Sequence, residues 1–314
     1  MKYVGLQSQI RRNNRKSVLL LIAFPVLLLA SIFAVLYFIS FDSYGNPDMD
    51  TTMSLFTNVT PVVLTAVGIW FLIAYFAHSK MIALATGAKP LERRENIRVY
   101  NLVENLCMSV GMPMPRVEII ESPALNAYAS GLKQKDYTVT LTRGIIEQLN
   151  DEELEGVIAH ELMHIRNRDV RLLVISIIFV GIFSFIMQVA FRSVLYGGGR
   201  SRNNRDSGKL ILVILVVAAL AYFFSLLFKF SLSRKREFMA DSGAAEMTRK
   251  PWALASALRK ISGNHHVKVK SEDVQQMFIE NAPKNTRAGL GGGLGSLFST
   301  HPPIEKRIQF LEQV

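Results

Sequence analysis

Residues 18–39 run for 22 positions without a charged side chain. A helix of that length matches the hydrocarbon core of a bilayer. A secretory signal would have a shorter apolar core and a small-residue cleavage site. Neither is found, so the segment reads as a retained membrane anchor. Three further apolar runs follow at 59–77, 172–191 and 210–228. Their lengths also favour spans, with a buried helical hairpin as the alternative for the last two. The expected class is an α-helical integral membrane protein with four apolar helical spans.

The charges between these runs set a direction. Residues 1–17 carry Lys2, Arg11, Arg12, Arg15 and Lys16 and no acid. Residues 40–58 carry Asp42, Asp48 and Asp50 and no Lys or Arg, and Lys80, Lys89, Arg93 and Arg94 follow the second run. Basic segments stay cytoplasmic, so the N-terminus and the chain from 78 onward are expected inside, with the acidic loop outside. The loop 197–209, with Arg200, Arg202, Arg205 and Lys209 against only Asp206, resists this scheme. Either the 171–230 hairpin inserts against its charge preference, or it lies shallow.

The net charge of +11 raises nucleic acid as a partner. The basic residues flank apolar runs and no nucleic-acid fold motif accompanies them, so lipid contact is the better reading and no nucleic-acid partner is expected. The single cysteine, Cys107, rules out an intrachain disulfide and reads as a small buried hydrophobe.

The expected organisation is a basic tail (1–17), two transmembrane helices with an acidic external loop (18–77), a first soluble block (78–170), the apolar hairpin (171–230) and a second soluble block (231–314). Helical periodicity predicts helices over 92–108, 233–247, 252–261 and 304–314. β-Branched runs predict strands over 116–120 and 137–142. Residues 281–299, with Gly289, Gly291, Gly292, Gly293 and Gly295, predict a loop without the ending of a phosphate-binding motif.

The chemistry concentrates in His160-Glu161-Leu162-Met163-His164. Positions four apart share a helix face, so both imidazoles can reach one metal ion while Glu161 reaches a water upon it. This is the H-E-x-x-H arrangement of zinc proteases, with two ligands and a general base. Asn150 with Glu153 forms an expected capping box, and Asp151, Glu152 and Glu153 suit the positive helix end.

A catalytic zinc takes a third protein ligand. The residues after His164, Ile165-Arg166-Asn167-Arg168-Asp169-Val170, supply no further histidine. Glu237 and Asp241 stand four apart beyond the fourth apolar run, on a predicted helix. Two crossings would return Glu237 to the side of His164. Glu237 is therefore the expected third ligand, and Asp241 the carboxylate that accepts from a ligand histidine. A solvated face paired to Arg234 and Arg236 is the alternative, and Glu246 the reserve ligand. His301, before Pro302-Pro303, is a candidate donor to the oxyanion, or simply a loop residue. His78, His265 and His266 are expected at the surface or at interfaces.

Two leading spans, Asn126-Ala127-Tyr128-Ala129, the histidine helix, an apolar hairpin, Arg236-Glu237-Phe238-Met239-Ala240-Asp241 and Ser299-Thr300-His301-Pro302-Pro303 occur in that order. Together they resemble the HtpX family of membrane-bound zinc endopeptidases and, more distantly, the CAAX prenyl proteases. The resemblance implies a mainly α, α+β gluzincin-like protease domain facing the cytoplasm of a bacterial inner membrane. It implies one zinc ion per subunit on His160, His164 and Glu237, with Glu161 catalytic. It also implies that Asn126 and Ala127 pair with the substrate backbone as an added strand, where an ordinary turn is the alternative. The implied role is quality control and stress response, by cleavage of misfolded or damaged membrane proteins. A prenyl-peptide protease and a catalytically silent membrane scaffold are the competing functions.

Overall fold

Two long helices open the chain. In the computed structural model α1 spans Leu6–Ile39 and α2 spans Met49–Thr86. The structure describes residues 6–40, 46–178, 235–263, 277–279 and 302–314, with isolated positions 192, 219, 222 and 267. The expected spans at 172–191 and 210–228 fall mostly outside the described residues, as do the glycine-rich stretch 281–299, His265, His266 and His301. Both opening helices are long and apolar enough to cross a membrane. Their flanks are the reverse of a soluble surface: Val62 is 69% exposed and Phe76 76%, apolar area that lipid covers at no desolvation cost. Asp48 precedes α2 and caps it, its carboxylate accepting from the Thr51 amide at 3.0 Å and from the Thr51 hydroxyl at 2.6 Å.

The chain divides into two compact units. One comprises Lys16–Phe76 and Ile175–Lys229. Within it Phe33 and Phe56 meet edge to face at 5.4 Å. The other comprises Met1–Arg15, Ala77–Val174 and Phe230–Val314, and it holds every candidate site residue the structure describes. His78 belongs to this unit. It is buried, which removes the surface position from the expected pair of surface or interface.

A four-stranded sheet forms one side of that unit, in the order β1-β2-β4-β3. β1 is Lys89–Pro90, β2 Arg116–Ile120, β3 Ala127–Ser130 and β4 Thr138–Thr142. β2 and β4 are parallel, with Val117 opposite Val139; β3 runs antiparallel to β4, with Tyr128 opposite Thr140. Residues 127–130 are therefore strand rather than turn. All four are buried, and the Tyr128 hydroxyl lies 3.0 Å from that of Thr86.

Among the described residues the unit also holds helices α3 (Ile97–Ser109), α4 (Arg143–Gln148), α5 (Asp151–Arg166), α6 (Lys235–Thr248), α7 (Pro251–Gly263) and α8 (Ile304–Leu311). α3 begins at Ile97, five residues after the expected start at 92. Asn96 caps it by accepting from the Val99 amide, and Glu92–Glu95 closes a turn just before. α5 is the central element, packing on α3, α6, α7 and β3. Leu154, Val157, Ile158 and Leu162 give it an apolar face that is wholly buried.

Candidate metal centre

The local sequence builds α5 as expected. The Asn150 side chain accepts from the Glu153 amide at 2.9 Å, and the Glu153 carboxylate accepts from the Asn150 amide at 3.0 Å. The same carboxylate takes donors from α7, Lys260 at 2.6 Å and Ser256 at 2.7 Å, so one residue caps α5 and docks α7. Gly156 lets α7 approach: a Cβ there would stand 3.2 Å from the Leu254 backbone. Gly243 does the same for α6, because a Cβ there would strike the Met163 side chain. Close packing of α6 on α5 is what brings Glu237 to the histidines.

His160 Nε2 and His164 Nε2 lie 3.1 Å apart. Glu237 Oε2 is 3.6 Å from the first, and Glu237 Oε1 3.6 Å from the second. Ligands about 2.0–2.1 Å from a tetrahedral zinc stand roughly 3.3 Å from one another. Each imidazole nitrogen thus has a Glu237 oxygen close to that spacing, one oxygen apiece, and the three side chains fit such an ion. His160 and Glu237 are buried, while His164 keeps 14% of its side chain exposed. Burial alone would depress the His164 pKa, but the Glu237 and Asp169 carboxylates outweigh it and push the value up to about 10. The negative field that does this also favours a cation among these residues.

Each imidazole meets a carboxylate on its other nitrogen. His160 Nδ1 lies 2.9 Å from Asp241 Oδ1, and His164 Nδ1 lies 3.3 Å from Asp169 Oδ2. A donating Nδ1–H leaves each Nε2 lone pair free to ligate. Asp241 is in turn gripped by Arg307, with Nη2 donating to Oδ1 at 2.7 Å and Nε to Oδ2 at 2.9 Å. Burial would raise the Asp241 pKa, but Arg307 and His160 hold it below the ordinary value. Arg307 is itself fully buried, and it also donates to the Ile279 carbonyl at 3.1 Å.

The structure therefore brings together His160, His164, Glu237 and Asp241. The solvated alternative for the last two does not hold, since Glu237, Asp241 and Arg236 are all buried. Glu161 is buried beside its neighbours on α5, and Glu246 is exposed outside the cluster. Asn126 and Ala127 lie where β3 begins. The Ala127 amide donates to Asn126 Oδ1 at 3.0 Å, and the Ala127 carbonyl accepts from the Ile279 amide at 2.8 Å. Sequence reasoning missed Asp169 and Arg307. Arg307 had a signal: it sits three residues after Ile304 and four before Leu311, on the apolar face of the terminal helix. A lone cation in that stripe asks for a buried anion. Asp169 had only its nearness to His164.

The chain matches the model of Peptidase family M48 over residues 93–314. It is 56% identical over all of both chains to a protein of Bacteroides fragilis described as "Protease HtpX homolog". It is 35% identical to one of Dictyoglomus thermophilum with the same description, over 100% of this chain and 96% of that one. A crystal structure of S. mikatae Ste24p aligns with 94% of this chain and 67% of that one, at 19% identity and a TM-score of 0.48. The family match and the two relatives define the class as a membrane-bound metalloprotease. The chain belongs to Peptidase family M48.

Proposed function

We propose that the chain is a zinc-dependent endopeptidase in which His160, His164 and Glu237 hold one zinc ion. The convergence of those three side chains, each able to offer one ligand atom to a single ion, carries this reading. A divalent ion held there supplies Lewis acidity and lowers the pKa of water towards about 7. Asp241 and Asp169 fix the ligand imidazoles through Nδ1–H. Glu161, next to His160 on the same helix, takes the proton of the attacking water and passes it to the leaving amine. His301 donates to the developing oxyanion.

An extended substrate adds to the sheet along β3, the strand at the end of the order, where Asn126 and Ala127 begin the edge. At Ala127 its amide replaces that of Ile279. Main-chain pairing of this kind selects for extended backbone over side-chain identity, which suits unfolded or damaged membrane proteins as substrates. The domain is gluzincin-like and faces the cytoplasm of a bacterial inner membrane, carried on four spans at 18–39, 59–77, 172–191 and 210–228. The basic tail and the residues after 78 set that orientation.

Glu161→Gln tests the reading. With zinc supplied in detergent, the variant should retain one zinc per chain and lose cleavage of casein and of an unfolded membrane protein by roughly a thousandfold, the middle of the range that positioned acid–base catalysis contributes. Undiminished cleavage refutes the role of Glu161.

A further inference from the structure

α5 ends in a turn shaped by more than its own residues. The Asn167 amide donates to the Met163 carbonyl at 2.9 Å, and Arg168 takes left-handed backbone at φ 59°. That conformation is sterically disfavoured for a residue with a Cβ. It sets Asp169, 1% exposed, beside His164, with Oδ2 3.3 Å from Nδ1. A buried carboxylate needs donors at its other oxygen too. That donor comes from far along the chain. Asn13 Nδ2 donates to Asp169 Oδ1 at 2.5 Å and to the Asn167 carbonyl at 2.9 Å. Asn13 is itself 2% exposed. One carboxamide thus spans both sides of the left-handed residue. Arg168 Nη1 adds a long contact of 3.5 Å to Asn14 Oδ1.

Asn13 lies in the basic stretch ahead of the first apolar run. That stretch is helical from Leu6, and Met1–Arg15 belongs to the unit that carries the metal centre. Its neighbours Arg11, Arg12 and Arg15 are exposed, as a solvated or lipid-facing stretch requires. Asn13 alone among them is turned inward onto a residue that touches a ligand histidine.

We propose that Asn13 is a positioning residue of the metal centre: it orients Asp169, which orients His164. The proposal rests on His164 being a metal ligand. The segment before the first span then completes the protease domain instead of trailing from it. Outer partners of metal ligands tune affinity by about 10–100-fold. Asn13 acts one residue further out, so its effect should fall at the low end of that range.

The test measures zinc affinity by chelator competition on the full chain in detergent. Asn13→Ala should weaken zinc binding about tenfold. Asn13→Asp, of the same shape but with an anion facing Asp169, should weaken it further. Arg12→Ala should leave it within about twofold. In the double variant N13D with D169N, amide and carboxylate change places across the same contact, so affinity should recover above that of N13D alone. A merely structural Asn13 would lower the melting temperature of the zinc-free protein and leave zinc affinity unchanged in N13A and N13D, with no loss for the double variant to recover. That outcome overturns the proposal, as does unchanged affinity in N13A and N13D while D169N weakens it. If D169N, H164A and E237Q all leave affinity unchanged, the metal-centre reading fails and the proposal with it.

Discussion

The two histidines of α5 are held in unlike surroundings. On the His160 side everything is sealed. Asp241 lies 2.9 Å from the imidazole, the Arg307 fork closes on that carboxylate, and all three residues are fully buried. On the His164 side the contact to Asp169 is 3.3 Å, the supporting donor is a neutral amide, and the imidazole is partly exposed. A charged, bidentate grip in a dry interior is strong and rigid. A single amide on a half-open side is weaker and yields more easily. We read the His160 side as scaffold and the His164 side as the face where solvent enters.

The largest test of that contrast is Arg307→Ala. It strands Asp241 in a dry interior, and breaking a buried pair this way costs about 3–5 kcal/mol. Denaturant titration of the zinc-free protein should show a loss of that order. A loss under about 1 kcal/mol would mean the pair is not buried as described. Next come the two carboxylates. Asp241→Asn should weaken zinc binding by about a hundredfold and Asp169→Asn by about tenfold, the two ends of the range for such partners. Equal losses, or the reverse order, would erase the distinction between the sides.

Glu153→Gln serves as the small control, away from both sides. Burial opposes it, but Lys260, Ser256 and the Asn150 amide hold the Glu153 carboxyl below its ordinary pKa. A depressed folded-state pKa stabilises the fold above the unfolded value and loses that stabilisation as pH falls through the folded one. E153Q should therefore cost roughly 1 kcal/mol at neutral pH, kept small by the half-exposed Lys260. The gap to wild type should close on acidification. A gap that widened in acid would contradict the sign of the shift.

How far the sequence alone reached follows the range of each interaction. The α5 capping box, β2 and the H-E-x-x-H face depend on neighbours within a few residues, and periodicity exposes them. Glu237 and Asp241 lie in a distant segment. They were still legible, because two carboxylates at helical spacing beyond a pair of apolar runs narrow the choice. Asp169 and Asn13 were not. Asp169 is placed by a left-handed turn at Arg168 that no residue preference announces, and Asn13 reaches it across 156 positions. Strand β3 was hidden for another reason. Ala127-Tyr128-Ala129-Ser130 shows no alternation, because all four side chains are buried. The predicted start of α3 at 92 reaches too far, because the polar residues Glu92-Arg93-Arg94-Glu95 carry no apolar periodicity and the Asn96 cap starts the helix at Ile97.

The most direct test of the whole account is an experimental structure of the zinc-loaded Glu161→Gln chain, with the metal located by its anomalous signal. The account predicts one ion about 2.0–2.2 Å from His160 Nε2, His164 Nε2 and a Glu237 oxygen. An ion bound elsewhere, or one held by the histidines with Glu237 more than about 3 Å away, would contradict it.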